Sequence, residues 1–375
     1  MLLFFAAAFV LSMAFCRLMI AFAPKDAPDG ERKTQPVAVP TSGGLAIAGA
    51  AALIYLSELI IIPAATSVDS LRTIADVHIR FLVTSGELPH IILAIFVLFV
   101  GAVDDARAIA TRYKLLVLST ACVLVALTGL TAEKVFIPFA DSTIPLPVAV
   151  SVIGSAIWLF LMMNATNFMD GSNGLALGCI AIMLAYMSLS FFGAASADLS
   201  PETVTVWNGL NFVIFLIVGA IGGFLVWNIQ GLLYAGDAGA LFAGTVFASF
   251  SLLSAMNGNI WFVATLGLPL LVDAVATLIW RATKGKRLTE PHRDHAYQLL
   301  IKDGWSHLQT ALLWWTLTAI CGLVSVTALQ MGPTSNFIGF VAMLCSLLLL
   351  WIMQRAQWNH AQKQKAPVDL STANN

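Results

Sequence analysis

The sequence predicts an all-α, polytopic membrane bundle of about eleven helices, with its polar chemistry gathered at one face. Three observations lead there. The 375 residues are 59% hydrophobic and only 10% charged, with a mean hydropathy of +0.87. Apolar runs long enough to cross a hydrocarbon layer, roughly 18 residues or more, recur along the whole chain. The few acids, amides, histidines and lysines then fall mostly into one alternating set of connections.

Apolar run length places the spans at about 1–23, 43–63, 88–103, 113–131, 147–163, 174–193, 209–229, 238–256, 260–281, 309–330 and 336–353. The first run lacks a basic leader and is long enough to span, so it reads as a retained helix. The third is short unless extended at Leu88 and Pro89. Residues 66–85 suggest an interfacial helix, and Val135 to Pro147 a short hairpin. Residues 1–355 form a single integral-membrane domain, and 356–375 a polar cytoplasmic tail. The five cysteines (Cys16, Cys122, Cys179, Cys321, Cys345) all lie in apolar runs without metal or redox spacing, and read as small buried hydrophobes.

Eleven spans put the two ends on opposite sides. Fifteen of the 19 Lys and Arg residues occupy one set of connections. Arg72, Arg80 and Lys134 occupy the other, and Arg17 lies inside the first run. The positive-inside rule therefore predicts an outer N-terminus and a cytoplasmic C-terminus. A net charge of −1 argues against a nucleic-acid partner.

Four polar motifs share the basic side. Asn164-Ala-Thr-Asn-Phe-Met-Asp170-Gly-Ser-Asn-Gly-Leu175 sets three amides and an acid between two apolar runs, where polar groups are costly and commonly functional. Oxygen donors of this kind suit Mg²⁺ shared with substrate phosphates, although Asn-Asp-Gly sequences are more often plain turns. Asp104-Asp105 ends the third run; adjacent acids resist ionising together unless a cation such as Mg²⁺ or Lys114 is near. Lys114, opening the fourth helix at the membrane surface, is placed to attract a lipid phosphate or simply to anchor the helix. Gly236-Asp237-Ala-Gly239 starts a helix with a Gly-flanked acid, either a metal ligand or an N-cap. Lys284 to His295 carries six basic or imidazole groups in twelve residues and reads as a pyrophosphate-binding loop, with Arg293 able to chelate phosphate oxygens. Its His-x-x-His spacing lacks the second ligand pair that zinc needs. Together these parts suit phosphoryl transfer between a soluble pyrophosphate compound and a lipid phosphate.

In order, Asp-Asp, Asn-x-x-Asn-x-x-Asp-Gly-x-x-Gly-Leu-Ala, Gly-Asp-x-Gly-Ala-Leu and His-Arg-x-His-Ala-Tyr-Gln resemble the polyprenyl-phosphate N-acetylhexosamine-1-phosphate transferases. Arg32-Lys33 with Pro40-Thr-Ser-Gly-Gly44, and Arg112-Tyr-Lys-Leu, extend the resemblance over about residues 24–300. It implies a ten- or eleven-helix fold with a cytoplasmic active-site cleft in the bacterial inner membrane. It implies transfer of a sugar-1-phosphate from a UDP-N-acetylhexosamine to undecaprenyl phosphate, with release of UMP and with Mg²⁺, or Mn²⁺ in its place. Tyr297-Gln298 resemble the members that initiate O-antigen synthesis. Residue by residue, Asp237 becomes the main metal ligand, with Asn167 or Asp170 beside it. Asp104, Asp105, Asp170, His292 and His295 become the catalytic set. Lys114, Asn164, Asn167, Asn173, Arg293 and Lys33 become the substrate-binding set. Asn173 departs from the family pattern, which has Asp there, and so removes one charge. Direct attack by the acceptor phosphate is favoured over a phospho-enzyme on Asp105 or Asp170, and pairing of two copies is left open. The alternative is a transporter or flippase of a lipid-linked anion. Such a protein needs polar groups near mid-membrane, where Asp273 is the one deep acid, with Arg281 two turns on.

Overall fold

The structure, a computed structural model, describes residues 1–26, 38–64, 88–138, 140, 142–194, 201–255, 260–290 and 292–365. Lys33, Arg72, Arg80 and the interfacial helix expected within 66–85 lie outside the described residues, as does the end of the tail, 366–375. Among the described residues eleven long helices are present: α1 (Leu2–Phe22), α2 (Gly43–Ala64), α3 (Leu88–Ala106), α4 (Thr111–Thr128), α5 (Val148–Met169), α6 (Leu175–Ala194), α7 (Pro201–Asn228), α8 (Gly236–Ala255), α9 (Ile260–Thr283), α11 (His307–Met331) and α12 (Pro333–Lys365). A short helix, α10 (Ala296–Lys302), lies between α9 and α11. Among the described residues nine helices are long and apolar enough to cross a membrane, and Gly43–Ser57 and Leu175–Ser190 form shorter apolar stretches. The protein is thus the all-α membrane bundle its apolar runs predict.

Two small sheets complete the fold. Strands β1 (Lys25–Asp26) and β2 (Val39–Pro40) pair antiparallel. Strands β3 (Lys134–Ile137) and β4 (Ser142–Pro145) form the expected hairpin at the opposite end of the bundle, with Lys134 facing Pro145 and Ile137 facing Ser142. Four cysteines are buried; Cys345 is exposed on α12 and departs from the expectation for all five. The last span also differs. Its apolar run ends near residue 353, yet α12 continues unbroken to Lys365, because Gln, Arg, Ala and Lys are good helix formers once hydropathy has fallen.

The bundle is organised around α8, whose residues are buried along most of its length. Its sequence explains why: Gly, Ala and Ser recur on all of its faces, and small residues let neighbouring backbones approach closely where lipid supplies no hydrophobic driving force. A Cβ on Gly44 of α2 would stand 2.2 Å from the Gly239 amide nitrogen, and one on Gly101 of α3 would stand 2.4 Å from that of Ala238. Ahead of α8 the chain pairs with the segment preceding α2. Tyr234 donates to the Pro40 carbonyl at 2.9 Å, and Gly43 and Gly44 donate to the carbonyls of Tyr234 and Ala235, each at 2.9 Å. The Pro40–Gly44 motif is therefore a brace for the start of α8.

Gly101→Ala and Gly44→Ala are expected to destabilise the protein strongly, because backbone rather than a flexible side chain stands in the way; overpacking of this kind typically costs about 1–3 kcal/mol or more. Gly154→Ala, whose added Cβ meets nothing within 4 Å, is expected to be neutral. Thermal unfolding in detergent compares the three, and equal melting temperatures would contradict the close packing around α8.

Candidate active site

Helix α8 begins inside protein at the polar end of the bundle, and its first amides need acceptors there. Asp105, in the last turn of α3, supplies them: its Oδ1 accepts from the Asp237 amide at 2.9 Å and its Oδ2 from the Ala238 amide at 3.1 Å. Gly236, at φ +71, makes the tight entry, and a Cβ there would lie 2.3 Å from Asp105 Oδ2. Both Asp105 oxygens are thus committed to backbone, and the acid joins α3 to the start of α8.

The adjacent acid points elsewhere. Asp104 accepts from the Ile109 amide at 2.6 Å and from Lys114 Nζ at 2.7 Å. The same ammonium reaches Asp237 Oδ2 at 2.5 Å, so Lys114 bridges two carboxylates from two helices. Beyond this bridge lies an apolar cavity of about 290 Å³ lined by Phe96, Phe99, Val103, Ile109, Tyr113 and Val117 and by the aliphatic stem of Lys114, whose ammonium is turned to the two acids. Phe99 and Tyr113 are exposed on the outer surface of the bundle, so the cavity opens sideways between α3 and α4.

The turn between α5 and α6 delivers the amide-rich motif, whose members separate. Asn164 is buried and spends its amide on the Phe160 carbonyl of its own helix at 2.8 Å. Asn167 lies beside Asp237 and has a buried amide nitrogen without a well-formed hydrogen bond among the described residues. Asp170 is half-buried, and its carboxylate accepts no hydrogen bond among the described residues. Burial first, then the Asp237 and Asp105 carboxylates, push its carboxyl well above the usual carboxylate range. Asn173 faces the next turn, where its amide nitrogen would lie 3.2 Å from a Cβ on Gly231.

Three residues outside the predicted set hold this arrangement. Asn228, at the end of α7, accepts from the Gly174 amide at 2.6 Å and donates to the Leu233 carbonyl at 2.8 Å, tying the two loops together. Its only signal in the sequence is a polar residue at the end of an apolar run. His307 meets the Ser172 hydroxyl at 3.1 Å. Asp273 accepts from the Ala296 and Tyr297 amides at 2.8 and 3.3 Å, capping α10, while Arg281 pairs instead with Asp294. The deep acid is therefore spent inside the bundle, though on a helix start and not on Arg281.

That cap sets the basic motif against the acids. Tyr297 donates its hydroxyl to the Phe168 carbonyl at 2.9 Å, and burial, with Asp273 and Asp170, holds that hydroxyl protonated far above neutrality. The His295 ring stacks on Phe168 at 6.0 Å and neighbours the His292 ring at 5.0 Å. Both imidazoles carry a buried Nδ1 without a hydrogen-bond partner among the described residues. Burial, then His295 and Arg281, lower His292 to about 4, so at neutral pH it offers a hydrogen bond and no charge. Arg293 is half-buried and its guanidinium makes no hydrogen bond among the described residues. The site thus has a carboxylate side, Asp104, Asp105, Asp170 and Asp237 around one lysine, and an imidazole–guanidinium side across the Phe168–Asp170 turn.

The carboxylate side suits a hard cation in its donor chemistry. Asp170 and Asp237 supply oxygens, Asn167 an amide, and the one bridging ammonium leaves negative charge in excess. Among the described residues no three of His, Cys, Asp or Glu already converge as metal ligands, since Lys114 fills the position between Asp104 and Asp237.

A carboxyl held above its ordinary pKa favours the protonated form when folded, so its cost is absent below the ordinary carboxyl value, grows as the pH rises from there toward the raised value, and is constant above it. In metal-free buffer at about pH 7.5, Asp170→Asn is expected to raise the melting temperature by a few degrees, and the gain should shrink toward about pH 5. Added Mg²⁺ should stabilise the wild type more than the variant. A variant less stable than wild type at both pH values would contradict the charge excess.

Residues 88–255 match glycosyl transferase family 4. Phospho-N-acetylmuramoyl-pentapeptide-transferase of Mycobacteroides abscessus is 30% identical over 192 residues, 48% of this chain and 52% of that one, so the chain spans about half the length of this curated relative. Undecaprenyl-phosphate alpha-N-acetylglucosaminyl 1-phosphate transferase of Yersinia pestis is 26% identical over 307 residues, covering 76% of this chain and 78% of its own. Probable undecaprenyl-phosphate N-acetylglucosaminyl 1-phosphate transferase of Bacillus subtilis is 25% identical over 307 residues, covering 79% and 75%. The matched stretch, rather less than half of the chain, runs from α3 to the end of α8 and contains Asp104, Asp105, Asp170 and Asp237: over these residues the chain is similar to glycosyl transferase family 4.

Proposed function

We propose that this protein is a membrane-bound transferase that moves an N-acetylhexosamine-1-phosphate from a UDP-sugar to undecaprenyl phosphate and releases UMP. The observation that carries the reading is Lys114: its ammonium joins two acids while its stem lines an apolar cavity that opens sideways from the bundle. A soluble substrate has no need of a lateral apolar approach to a charged centre; a phosphate on a long hydrocarbon does. The relatives' names, which specify undecaprenyl phosphate and an N-acetylglucosaminyl 1-phosphate, support the same substrates. We infer GlcNAc-1-phosphate as the group transferred and initiation of a cell-envelope polysaccharide such as O-antigen as the role. The site end is assigned to the cytoplasm on the distribution of Lys and Arg, and the protein to the bacterial inner membrane on its resemblance to the undecaprenyl-phosphate transferases.

Mechanistically, Lys114 holds the acceptor phosphate where the cavity meets the acids. A phosphate monoester has a second pKa near 6 and is largely dianionic at neutral pH, so it needs little help from a base. One of its oxygens bonds to the sugar-bearing phosphorus of the donor. The bond from that phosphorus to the bridging oxygen breaks, and the electron pair leaves with UMP. Asp105, with both oxygens accepting from backbone amides, is poorly disposed to form a phospho-enzyme, which favours direct attack. Asp237, Asp170 and Asn167 would hold Mg²⁺, or Mn²⁺ in its place, which when bound offsets charge on the pyrophosphate and on the departing UMP. Arg293 supplies cationic contact to the donor, and His292 and His295 supply hydrogen bonds. No observation favours a transporter: the deep acid Asp273 is occupied by a helix cap, and the free polar groups lie at one end.

Purified protein in lipid nanodiscs with undecaprenyl phosphate and a panel of UDP-N-acetylhexosamines is expected to release UMP only when both substrates are present. Asp237→Asn should lower kcat by about 10²-fold or more, as loss of a central charge-stabilising group does. Lys114→Ala should raise the apparent KM for the lipid more than that for the UDP-sugar. Absence of UMP from every UDP-sugar would refute the activity, and a KM raised only for the donor would reassign Lys114.

A further inference from the structure

Helix α12 has 33 residues, about 50 Å at 1.5 Å per residue, against a hydrocarbon layer of roughly 30 Å. Its last turns must therefore project from the membrane, and they carry Gln354, Arg355 and Trp358 toward the basic motif. Arg355 is buried at 6% exposure. Its guanidinium lies 4.3 Å from the Trp280 ring of α9 and 4.9 Å from the Trp351 ring of its own helix. Stacking between two indoles leaves the in-plane donors of an arginine pointing outward, and here Nη2 donates to the Asp294 backbone carbonyl. One helical position earlier, Gln354 Nε2 donates to the Ala296 carbonyl at 2.8 Å. The two contacts bracket His295.

The rest of the segment is held the same way, through its backbone. Lys302 donates to the Arg293 carbonyl at 2.6 Å, Arg281 to the Arg287 carbonyl at 2.7 Å, and Asp273 accepts the Ala296 and Tyr297 amides. Arg281 also binds the Asp294 carboxylate, which burial alone would raise and which Arg281 and Lys286 hold below its usual range. Two buried arginines thus share one residue, one at its carboxylate and the other at its carbonyl. Sequestering two cations beside a single acid is costly, and packing alone would be served as well by apolar groups. What this arrangement supplies is a fixed path for residues 293–296, which seats the His295 ring between Phe168 and Tyr297 with Nδ1 3.6 Å from Asp273 and leaves the half-buried His292 imidazole and Arg293 guanidinium without a hydrogen-bond partner among the described residues.

We propose that Arg355, with Gln354, is a positioning residue for donor recognition: the projecting turns of α12 fix the backbone on both sides of His295, so that the imidazole–guanidinium side is held against the Asn167–Asp170 turn. The proposal rests on the donor reading given under Proposed function. Neither residue reaches the carboxylate side, so the acceptor should be indifferent to them.

The test compares wild type, Arg355→Ala, Arg355→Lys and Gln354→Ala in nanodiscs by steady-state kinetics for each substrate and by hydrogen–deuterium exchange. Arg355→Ala is expected to raise the apparent KM for the UDP-sugar about tenfold, the size of one lost charged hydrogen bond, with the KM for undecaprenyl phosphate within about twofold. Arg355→Lys, which keeps a donor but not the planar stack, should recover part of the loss. Amides of residues 292–298 should exchange faster in Arg355→Ala while those of α3 and α8 do not change. A proportional fall in activity with both KM values unchanged would mark Arg355 as structural only and overturn the proposal, as would unchanged donor KM and exchange. Should Arg355→Ala fail to fold, Gln354→Ala decides by the same two readouts, with a smaller rise expected. If the wild type turns over no UDP-sugar, the donor reading fails by itself, and the exchange measurement still decides whether α12 orders residues 292–298.

Discussion

The acceptance of two α8 amides by Asp105 is the constraint on which the site depends. A helix that begins inside a bundle in the membrane leaves N–H groups that no water can serve, and each orphan costs on the order of the hydrogen bond itself. Asp105 meets that demand from a different helix, at 2.9 and 3.1 Å. Once α3 and α8 are joined there, Asp104 and Asp237 have no freedom to separate, and Lys114 at the head of α4 is drawn between them. The glycines follow from the same junction. Gly44 and Gly101 are small because the start of α8 lies against their backbones, and Gly236 because the chain must turn beside a carboxylate.

Most of the fold was legible from apolar run length, since in lipid a continuous hydrophobic stretch has few alternatives to a helix. All eleven long helices correspond to predicted spans, and the hairpin β3–β4 was readable from its alternating residues and prolines. The end of α12 was not, because a hydropathy criterion stops where polar residues begin, whereas helix propensity continues through Gln354 to Lys365. The site was legible in its residue types and not in its pairings. Asp104 and Asp105 are adjacent in sequence, yet one binds a lysine and the other caps a helix beginning at residue 236. Partnerships across more than a hundred residues leave no periodicity to detect. Asn164 shows the same limit in reverse: an amide one turn from Asn167 looks equally available, but it is folded back onto Phe160.

The pairing of Asp273 with the start of α10 has a wider consequence. In a transporter a buried acid near mid-bundle would be expected to exchange partners as the substrate moves. Here it accepts two amides and sits 3.6 Å from His295 Nδ1, so its charge is consumed in holding one loop. The chemistry is thereby restricted to the end of the bundle, where carboxylates and imidazoles approach across the Phe168 backbone carbonyl that Tyr297 binds.

The two sides of the site are built by different means. Asp104, Asp105, Lys114 and Asp237 stand at the ends of packed helices, so their separations are fixed by the bundle and tolerate little change in any neighbour. His292, Arg293 and His295 stand on a connecting segment whose path is set by side chains binding its backbone: Lys302, Arg355, Gln354 and Asp273. Contacts to main chain do not depend on the identity of the residues they hold. Apart from Asp294, whose carboxylate Arg281 also binds, and His295, which lies against Asp273, side chains in that segment can change with little effect on its course, while any change among the carboxylates disturbs the junction of three helices. A site arranged this way holds its carboxylate centre rigid and leaves the imidazole–guanidinium side freer to vary. Asn173 belongs to neither side: it packs toward Gly231, in the turn that Asn228 ties to the amide-rich loop. The amide it carries instead of a carboxylate spares that crowded end of the bundle one more negative charge, beside an Asp170 whose own ionisation is already opposed by burial and by two neighbouring acids.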